Sequence, residues 1–572
     1  MSKKVYPNYS GLHEQTDLGI YPSCRLAVAN LSMTTIAILG LIVLVGAGLR
    51  LWRLADVPVG LNNEEMSLAY TAWSVSETGK DVTGRFLPWV GGVFGFYHPP
   101  ILLYLSVLGV RLFGISVWGV RLVSFTGGMM GLLMSYFLFL ELGMRLRWGK
   151  WWAVVACGVL AVSPWHILLS REVNAGVWVI FGEMVFLWAA LRFVSSKESW
   201  RYLFIAGVAV MGILGLGWLW WLAVGCGFVM WGFRGKLGSG KWWVGVVALV
   251  LIVGGLWYWR SLWWGESRMS EYEWRASIDL RRGWGWQAGE GVFSKFVHNK
   301  ASYLGRDLLT RWVGAFSWER LVSSLNSGMG RGLPLVVMGE VVWGVLGAYC
   351  FVKRKEGLWL AGLVLGVIPW VVGQVSFELG VVAVLPLWVG LVTEGMQWGW
   401  RKFNRVAFLG VVGFGGWGLL AVGAIFAVPA LWQDGRAAAY FGVMRVLAGR
   451  EEKVLVSDRL GQPHLPVLFY EKFSPLAFRG EFCLTGEDKF GLPRVADFGK
   501  YGFRSFEWRE ERNKEQVVVG WDKEIDLAEV EANGVKYELL GKVKVNAAGT
   551  FSERDVGFYG ENVYVVKIYK NE

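Results

Sequence analysis

The adjacent acids Glu64 and Glu65 are the first residues in this sequence whose type and position suit chemistry. They lie in a polar stretch, 60–100, of a chain that is otherwise strongly apolar. Asn62 and Asn63 precede them and are residue types that cap helix N-termini, and the segment MSLAYTAWSV that follows has a helical pattern. The sequence therefore predicts a helix that begins at this acidic pair.

A carboxylate in the first turn of a helix is stabilised as the anion by the helix dipole. The anion is the form that a general base needs in order to take a proton from a hydroxyl group. First-turn acids are also common at helix starts, where they only stabilise the helix. Spacing alone favours this simpler interpretation, so the catalytic one needs other support.

The motif Tyr97-His98-Pro99-Pro100 ends the same stretch. A proline pair is typical of a helix start, so the motif predicts an extended segment that leads into a helix. His98 is a candidate for contact with a phosphate or an acceptor. A single histidine in an aromatic loop is more often structural, and both interpretations stay open.

Basic residues supply further candidates. Arg121 and Arg171 lie at the predicted outer ends of apolar segments. An arginine there either extends its apolar stem towards the membrane surface or binds a lipid phosphate. Arg306 and Arg311 belong to a basic segment, 295–331, that could form a phosphate site, although a run of charges is usually a solvated face. With Asn63, these two are candidates for binding a donor or an acceptor.

The elements that must hold these residues are membrane helices. The 572-residue chain is 54% hydrophobic and 18% charged, whereas soluble domains carry about 25% charged residues. Apolar runs long enough to cross a bilayer recur along the first three quarters of the chain. The net charge of +12 comes largely from short loops between these runs, so it indicates topology rather than nucleic-acid binding. A single soluble core is excluded.

We therefore predict a polytopic α-helical membrane protein of about 11 spans, with the N-terminal tail 1–30 in the cytoplasm and a membrane domain at 31–432. The predicted spans are 31–51, 118–142, 152–169, 175–194, 202–216, 217–233, 242–260, 333–352, 357–375, 379–394 and 405–431.

The segment 99–114 decides the predicted topology. If it does not cross the bilayer, the basic loops between the later spans all fall on the cytoplasmic side, as the positive-inside rule requires. We therefore interpret it as an interfacial helix at the outer surface. The loops 52–117 and 261–332 are then extracytoplasmic, and so is the C-terminus.

The region 433–572 predicts a small extracytoplasmic α/β domain. Strand-like segments occur at 453–458, 517–522, 537–545 and 562–569, and helical patterns occur near 434–448 and 524–532. This domain has no Gly-rich phosphate loop and no nucleophile elbow.

The five cysteines are scattered and give neither a disulfide framework nor a CxxC metal site. The chain also has no P-loop, dinucleotide fingerprint or Asp-x-Asp motif, so nothing suggests a nucleotide donor. A lipid-phosphate sugar suits an extracytoplasmic site better, because no cytoplasmic nucleotide is available there.

Taken in order, the motifs of the first external loop resemble the family 39 glycosyltransferases of the GT-C class. This group includes protein O-mannosyltransferases and the aminoarabinose transferases that modify lipid A, and the resemblance is to bacterial or archaeal members with a C-terminal domain. The residues that carry it are Arg53-Leu54, Pro58, Gly60-Leu61, Glu64-Glu65, Ala69-Tyr70, Thr78-Gly79, Asp81, Gly84, Pro88, Tyr97-His98-Pro99-Pro100, Leu112-Phe113-Gly114, Ser116, Val120-Arg121-Leu122, Ser124, Ser163-Pro164-Trp165-His166 and Ser170-Arg171.

The resemblance implies a polyprenyl-phosphate sugar donor, such as a mannose donor, an extracytoplasmic active site and inversion at the anomeric carbon. The family has an Asp-Glu pair whose Asp is the base, and Glu64 stands at that position here, with Glu65 beside it. Arg121, Arg171 and His98, with Tyr97, would hold the donor phosphate or orient the loop.

The leaving phosphate is already anionic, so cationic side chains could stabilise it. No cofactor is then required, and a divalent metal is optional. The acceptor would be a hydroxyl of a protein, glycolipid or glycan.

Two alternatives remain at this point. Glutamate in place of the family aspartate, together with a changed second-loop signature at 309–321, is compatible with a catalytically degenerate GT-C scaffold in envelope assembly. A transporter is the other alternative, but Glu183 and Glu340 are the main acids inside the spans, and the chain shows no internal repeat.

Overall fold

The structure is a computed structural model. It describes residues 32–89, 91–93, 96–195, 338–354, 384–403, 435–460, 462–487, 493–511, 514–544 and 562–569, together with single residues or short runs within 201–209, 306–314, 363 and 409–423.

Helices dominate the described part of the chain before residue 404, where two short strands also occur. These elements are α1 (Met33–Leu51), α2 (Asn63–Thr78), β1 (Gly91–Val93), β2 (Phe96–His98), α3 (Pro100–Phe113), α4 (Val117–Arg145), α5 (Trp151–Val162), α6 (Pro164–Leu169), α7 (Gly176–Ser195), α8 (Met338–Lys353) and α9 (Val384–Phe403).

Three of these helices, α1, α4 and α7, are long and apolar enough to cross a membrane. They agree with the predicted spans 31–51, 118–142 and 175–194, so the protein is a polytopic helical membrane protein. Helices α8 and α9 overlap the predicted spans 333–352 and 379–394. The other predicted spans after residue 195 and the loop 261–332 lie largely outside the described residues, and the number of eleven spans stays a prediction.

The predicted span 152–169 is not one continuous helix, because the structure divides it into α5 and α6 at Ser163. Pro164 has no backbone N–H and cannot continue the helical hydrogen bonding of the preceding turn. Arg50 from α1 compensates for this break. Its guanidinium donates to the carbonyl oxygens of Ala161 at 3.0 Å and Leu160 at 3.3 Å.

Small residues bring membrane helices into close contact. A Cβ atom added to Gly347 on α8 would lie 1.9 Å from the Leu391 carbonyl oxygen of α9, and one added to Gly395 would lie 1.9 Å from the Trp343 carbonyl oxygen. Only glycine permits this approach. Close backbone packing replaces the hydrophobic driving force that helices lose in lipid.

The C-terminal region forms a mixed α/β unit. Its elements are α10 (Gly435–Leu447), β3 (Val454–Val456), α11 (His464–Tyr470), α12 (Pro475–Glu481), β4 (Cys483–Glu487), β5 (Pro493–Phe498), β6 (Tyr501–Phe503), α13 (Trp508–Glu511), β7 (Gln516–Trp521), α14 (Leu527–Ala532), β8 (Tyr537–Lys544) and β9 (Asn562–Ile568).

The seven strands β3–β9 form one sheet in the order β4-β5-β6-β3-β7-β9-β8. The central strand β3 is parallel to both of its neighbours, and all other pairs are antiparallel. The four strand-like sequence segments coincide with β3, β7, β8 and β9. Strands β4, β5 and β6 were not predicted, because they carry little apolar alternation.

Candidate functional site

The acidic pair begins α2 as the sequence predicted. The Asn62 side-chain oxygen accepts the Glu65 backbone N–H at 2.8 Å, and a Glu65 carboxylate oxygen accepts the Asn62 backbone N–H at 3.1 Å. This reciprocal capping box satisfies two of the free amide groups at the helix start. Asn63, the first helical residue, is partly exposed.

Glu65 also holds the helix to the membrane domain. Its carboxylate accepts from the Arg121 Nε of α4 at 3.2 Å and from the Val173 backbone N–H at 3.0 Å. Both members of the ion pair are at most 1% exposed. The carboxylate of Glu65 therefore has a structural role, because it takes part in the helix cap, in an ion pair and in a hydrogen bond with a backbone amide.

Arg121 and Arg171 both bind the connection between α1 and α2. Arg121 donates to the carbonyl oxygens of Leu54, Pro58 and Gly60 at 2.6–3.0 Å. Arg171 donates to carbonyl oxygens within residues 49–57 at 2.8–3.1 Å. Both arginines are buried. The arginines were expected either to hold the donor phosphate or to orient the loop, and these contacts match the second role.

Arg50 is a third buried arginine of this region, and the sequence analysis did not single it out. Besides the α5 carbonyls it contacts the His166 Nδ1 at 2.7 Å and donates to the Ser170 Oγ at 3.3 Å. The sequence shows Arg50 only as a single arginine near the end of an apolar span. That position does not indicate the broken helix whose carbonyl oxygens this side chain binds.

Glu64 has a different environment from Glu65. Its side chain is exposed, yet the protein around it raises the pKa of its carboxyl above the ordinary value, with a smaller contribution from the Glu65 charge. Its carboxylate is free to meet a ligand.

His98 lies beside the same helix. Strand β2 ends at His98 and pairs with β1, and the His98 Nε2 lies 2.9 Å from the Ser67 Oγ of α2. Burial lowers the pKa of His98 to about 3, so the imidazole is neutral at physiological pH. Tyr97 pairs through its backbone with Gly92 of β1.

Two further candidates were predicted in the basic segment 295–331. Arg306 is helical and exposed, and Arg311 lies outside the described residues. Among the side chains that the structure describes, no group of three or more His, Cys, Asp or Glu residues is arranged to hold a metal ion.

The C-terminal unit touches α2 directly, which the sequence did not indicate. Tyr70 of α2 donates to the Phe473 carbonyl oxygen at 2.9 Å. The Tyr470 hydroxyl, at the end of α11, accepts the Leu61 backbone N–H at 3.4 Å.

Comparison with known proteins gives solved structures only. No family model matches the chain, and no curated protein does. ArnT from Cupriavidus metallidurans in the apo state is similar over 95% of this chain and 98% of that chain, with a TM-score of 0.46 and 13% identity. The same protein bound to undecaprenyl phosphate gives a TM-score of 0.48 and 14% identity over the same shares of the two chains.

The Archaeoglobus fulgidus oligosaccharyltransferase, solved with Zn and sulfate, is similar over 76% of this chain and 61% of that chain, with a TM-score of 0.41 and 12% identity.

Proposed function

We propose that this chain is a membrane glycosyltransferase that moves a sugar from a polyprenyl-phosphate donor to an acceptor hydroxyl on the outer side of the membrane. The observation that carries the proposal is the contrast within the acidic pair. Glu65 is occupied by Asn62, Arg121 and Val173, whereas the side chain of Glu64 is exposed at the start of the same helix.

Glu64 is the proposed general base. A carboxylate whose pKa is raised is a stronger proton acceptor than that of an ordinary glutamate. Glu64 would take the proton of the acceptor hydroxyl as the oxygen attacks the anomeric carbon. The polyprenyl phosphate leaves from the opposite face, so the configuration inverts. No cofactor takes part in this step.

The contacts of Arg121, Arg171 and His98 favour positioning roles for all three in this reaction. The two arginines bind backbone carbonyls, and a neutral imidazole carries no charge for a phosphate. In the described external segment, the cations with exposed side chains are Arg53, Lys80, Arg85 and Arg111. The donor phosphate would meet these residues or basic residues of 261–332.

A transfer assay tests the proposal. Full-length protein in liposomes would receive radiolabelled polyprenyl-phosphate hexoses and, in parallel, the corresponding pentoses, with envelope extract as acceptor. We expect the wild type to transfer label and Glu64→Gln to lose at least about 100-fold, as expected for removal of a general base. Glu77→Gln is the matched control, because Glu77 is an exposed acid in the last turn of the same helix.

Retained activity in Glu64→Gln would assign the base to another residue. A wild type that binds lipid phosphate but transfers label from no donor would instead identify the chain as a degenerate GT-C scaffold. The fraction in which label appears would distinguish a protein, glycolipid or glycan acceptor.

A further inference from the structure

The C-terminal unit covers the helix that carries Glu64. Every residue of α2 from Glu65 to Ala72 is buried, including the polar Ser67 and Thr71. A helix in an extracytoplasmic loop needs protein on all sides to be buried in this way. Helix α3 and strand β1 pack on one part of its surface, and α11 and α12 of the C-terminal unit pack on another.

Two tyrosines make the polar contacts of this interface. The Tyr70 hydroxyl donates to the Phe473 carbonyl oxygen, and its ring lies edge-on against Phe478 at 6.0 Å between centroids. The Tyr470 hydroxyl accepts from Leu61, and its ring packs on Phe469 and Phe441 of the C-terminal unit. Helix α2 and the C-terminal unit therefore each contribute one tyrosine to the interface between them.

Tyr470 acts at the segment that fixes the acidic pair. Residues 60–62 run directly into the helix cap, and Arg121 holds the Gly60 carbonyl oxygen at 2.6 Å from the membrane side. Tyr470 binds the next amide, that of Leu61, from the C-terminal side. Burial raises the pKa of Tyr470 to about 12, so its hydroxyl remains protonated and neutral at this contact.

We propose that the C-terminal unit is a clamp on α2, and that Tyr470 and Tyr70 are positioning residues that set the location of Glu64 in the proposed transfer reaction. This inference rests on the proposed function. A displacement of about 1 Å at a reacting group can lower a rate about 100-fold. Removal of one hydroxyl that restrains the preceding backbone should therefore lower turnover without removing the binding surfaces for the donor.

The test uses the full chain with Tyr470→Phe, Tyr70→Phe and the double variant. Tyr569→Phe is the matched control, because it removes a tyrosine hydroxyl of the same unit that bonds within the unit, to Glu538. Turnover would be expressed per molecule that binds undecaprenyl phosphate. We expect kcat to fall about tenfold in Tyr470→Phe and further in the double variant, with donor KM within about twofold of wild type and no change in Tyr569→Phe.

The pH profile separates positioning from loss of folded protein. A smaller folded fraction scales the whole profile, whereas a loosened α2 changes the protein surroundings that raise the pKa of Glu64 and moves the acid limb of kcat to lower pH. Unchanged kcat and an unchanged limb in the double variant would overturn the proposal, and so would a uniform scaling of the profile.

Hydrogen exchange provides a readout that does not depend on activity. We expect faster exchange at residues 61–78 in the double variant and wild-type exchange there in Tyr569→Phe. Equal protection of 61–78 in wild type and double variant would show that no clamp exists. If the wild type transfers no sugar while the double variant exchanges faster, the proposed function fails and the clamp itself stands.

Discussion

Glu64 and Glu65 are neighbours of identical chemistry, yet α2 gives them opposite environments. Successive helical residues point roughly 100° apart, so two adjacent carboxylates cannot face the same partners. Glu65 points to Arg121 and to the Val173 amide, and the side chain of Glu64 is exposed. One carboxylate holds the helix, and the other remains accessible for chemistry.

The raised pKa of Glu64 gives a prediction for the pH dependence of transfer. The carboxylate is the active form, so the rate falls as pH decreases through the pKa of Glu64. Because burial raises that pKa, the acid limb of kcat should lie at higher pH than the ordinary glutamate value of about 4.3. Steady-state transfer measured between pH 4 and 8 checks the position of the limb.

The neighbouring histidine should add nothing to that profile. The pKa of His98 is lowered to about 3 by burial, so no limb near the ordinary histidine value of about 6.5 should come from it. Any limb near that value that persists in Glu64→Gln and disappears in His98→Asn would contradict this assignment.

At the scale of elements, two buried arginines, from α4 and from the segment after α6, attach the first external loop to the membrane helices, and a third, from α1, joins α1 to α5. Arg121 and Arg171 bind the backbone of residues 49–60, and Arg50 binds the broken turn at the end of α5. A carbonyl that has left regular hydrogen bonding near a membrane needs a donor from the protein, because lipid offers none. Guanidinium groups supply several donors each.

Replacing Arg121 by methionine should destabilise the protein strongly. The change leaves the Glu65 charge buried and removes the donors of three carbonyl oxygens. Breaking a buried ion pair on one side costs about 3–5 kcal/mol. We expect a clearly lower midpoint of thermal unfolding in detergent, with unfolding measured by tryptophan fluorescence.

Arg111→Met is the control for this change, because Arg111 is exposed on α3. The double variant Glu65→Gln with Arg121→Met should lose less stability than the sum of the single changes, since the partner charge is then absent. Equal midpoints for Arg121→Met and Arg111→Met would contradict the structural role of Arg121.

At the scale of the whole molecule, the predicted topology puts the C-terminal unit on the same side of the membrane as α2, and the contact between them requires this. Cys483 on β4 is exposed and reports the orientation, whereas Cys157 and Cys350 are buried. A membrane-impermeant maleimide should label Cys483 in right-side-out vesicles. Labelling should disappear in Cys483→Ser.

Cys24, in the predicted cytoplasmic tail, provides the opposite control. It should react in inside-out vesicles, and Cys24→Ser should remove that label. Labelling of Cys483 only in inside-out vesicles would reverse the predicted orientation and place Glu64 in the cytoplasm.

Several features of this molecule followed from local sequence, because they depend on residues close together in the chain. The apolar runs predicted α1, α4 and α7, and the Asn-Asn-Glu-Glu order predicted the start of α2. The strand-like segments predicted β3, β7, β8 and β9. The break before Pro164 was missed, because the apolar composition of 152–169 continues through it.

The sequence by itself determined a polytopic membrane chain with an acidic helix start in its first external loop, since hydropathy and capping are properties of neighbouring residues. Only the tertiary structure decided which acid is free, because that depends on Arg121 of α4, 56 residues away from Glu65. It alone brought Tyr470 to Leu61, across 409 residues. Such contacts depend on how helices and sheet pack, and no local pattern in either segment encodes its partner.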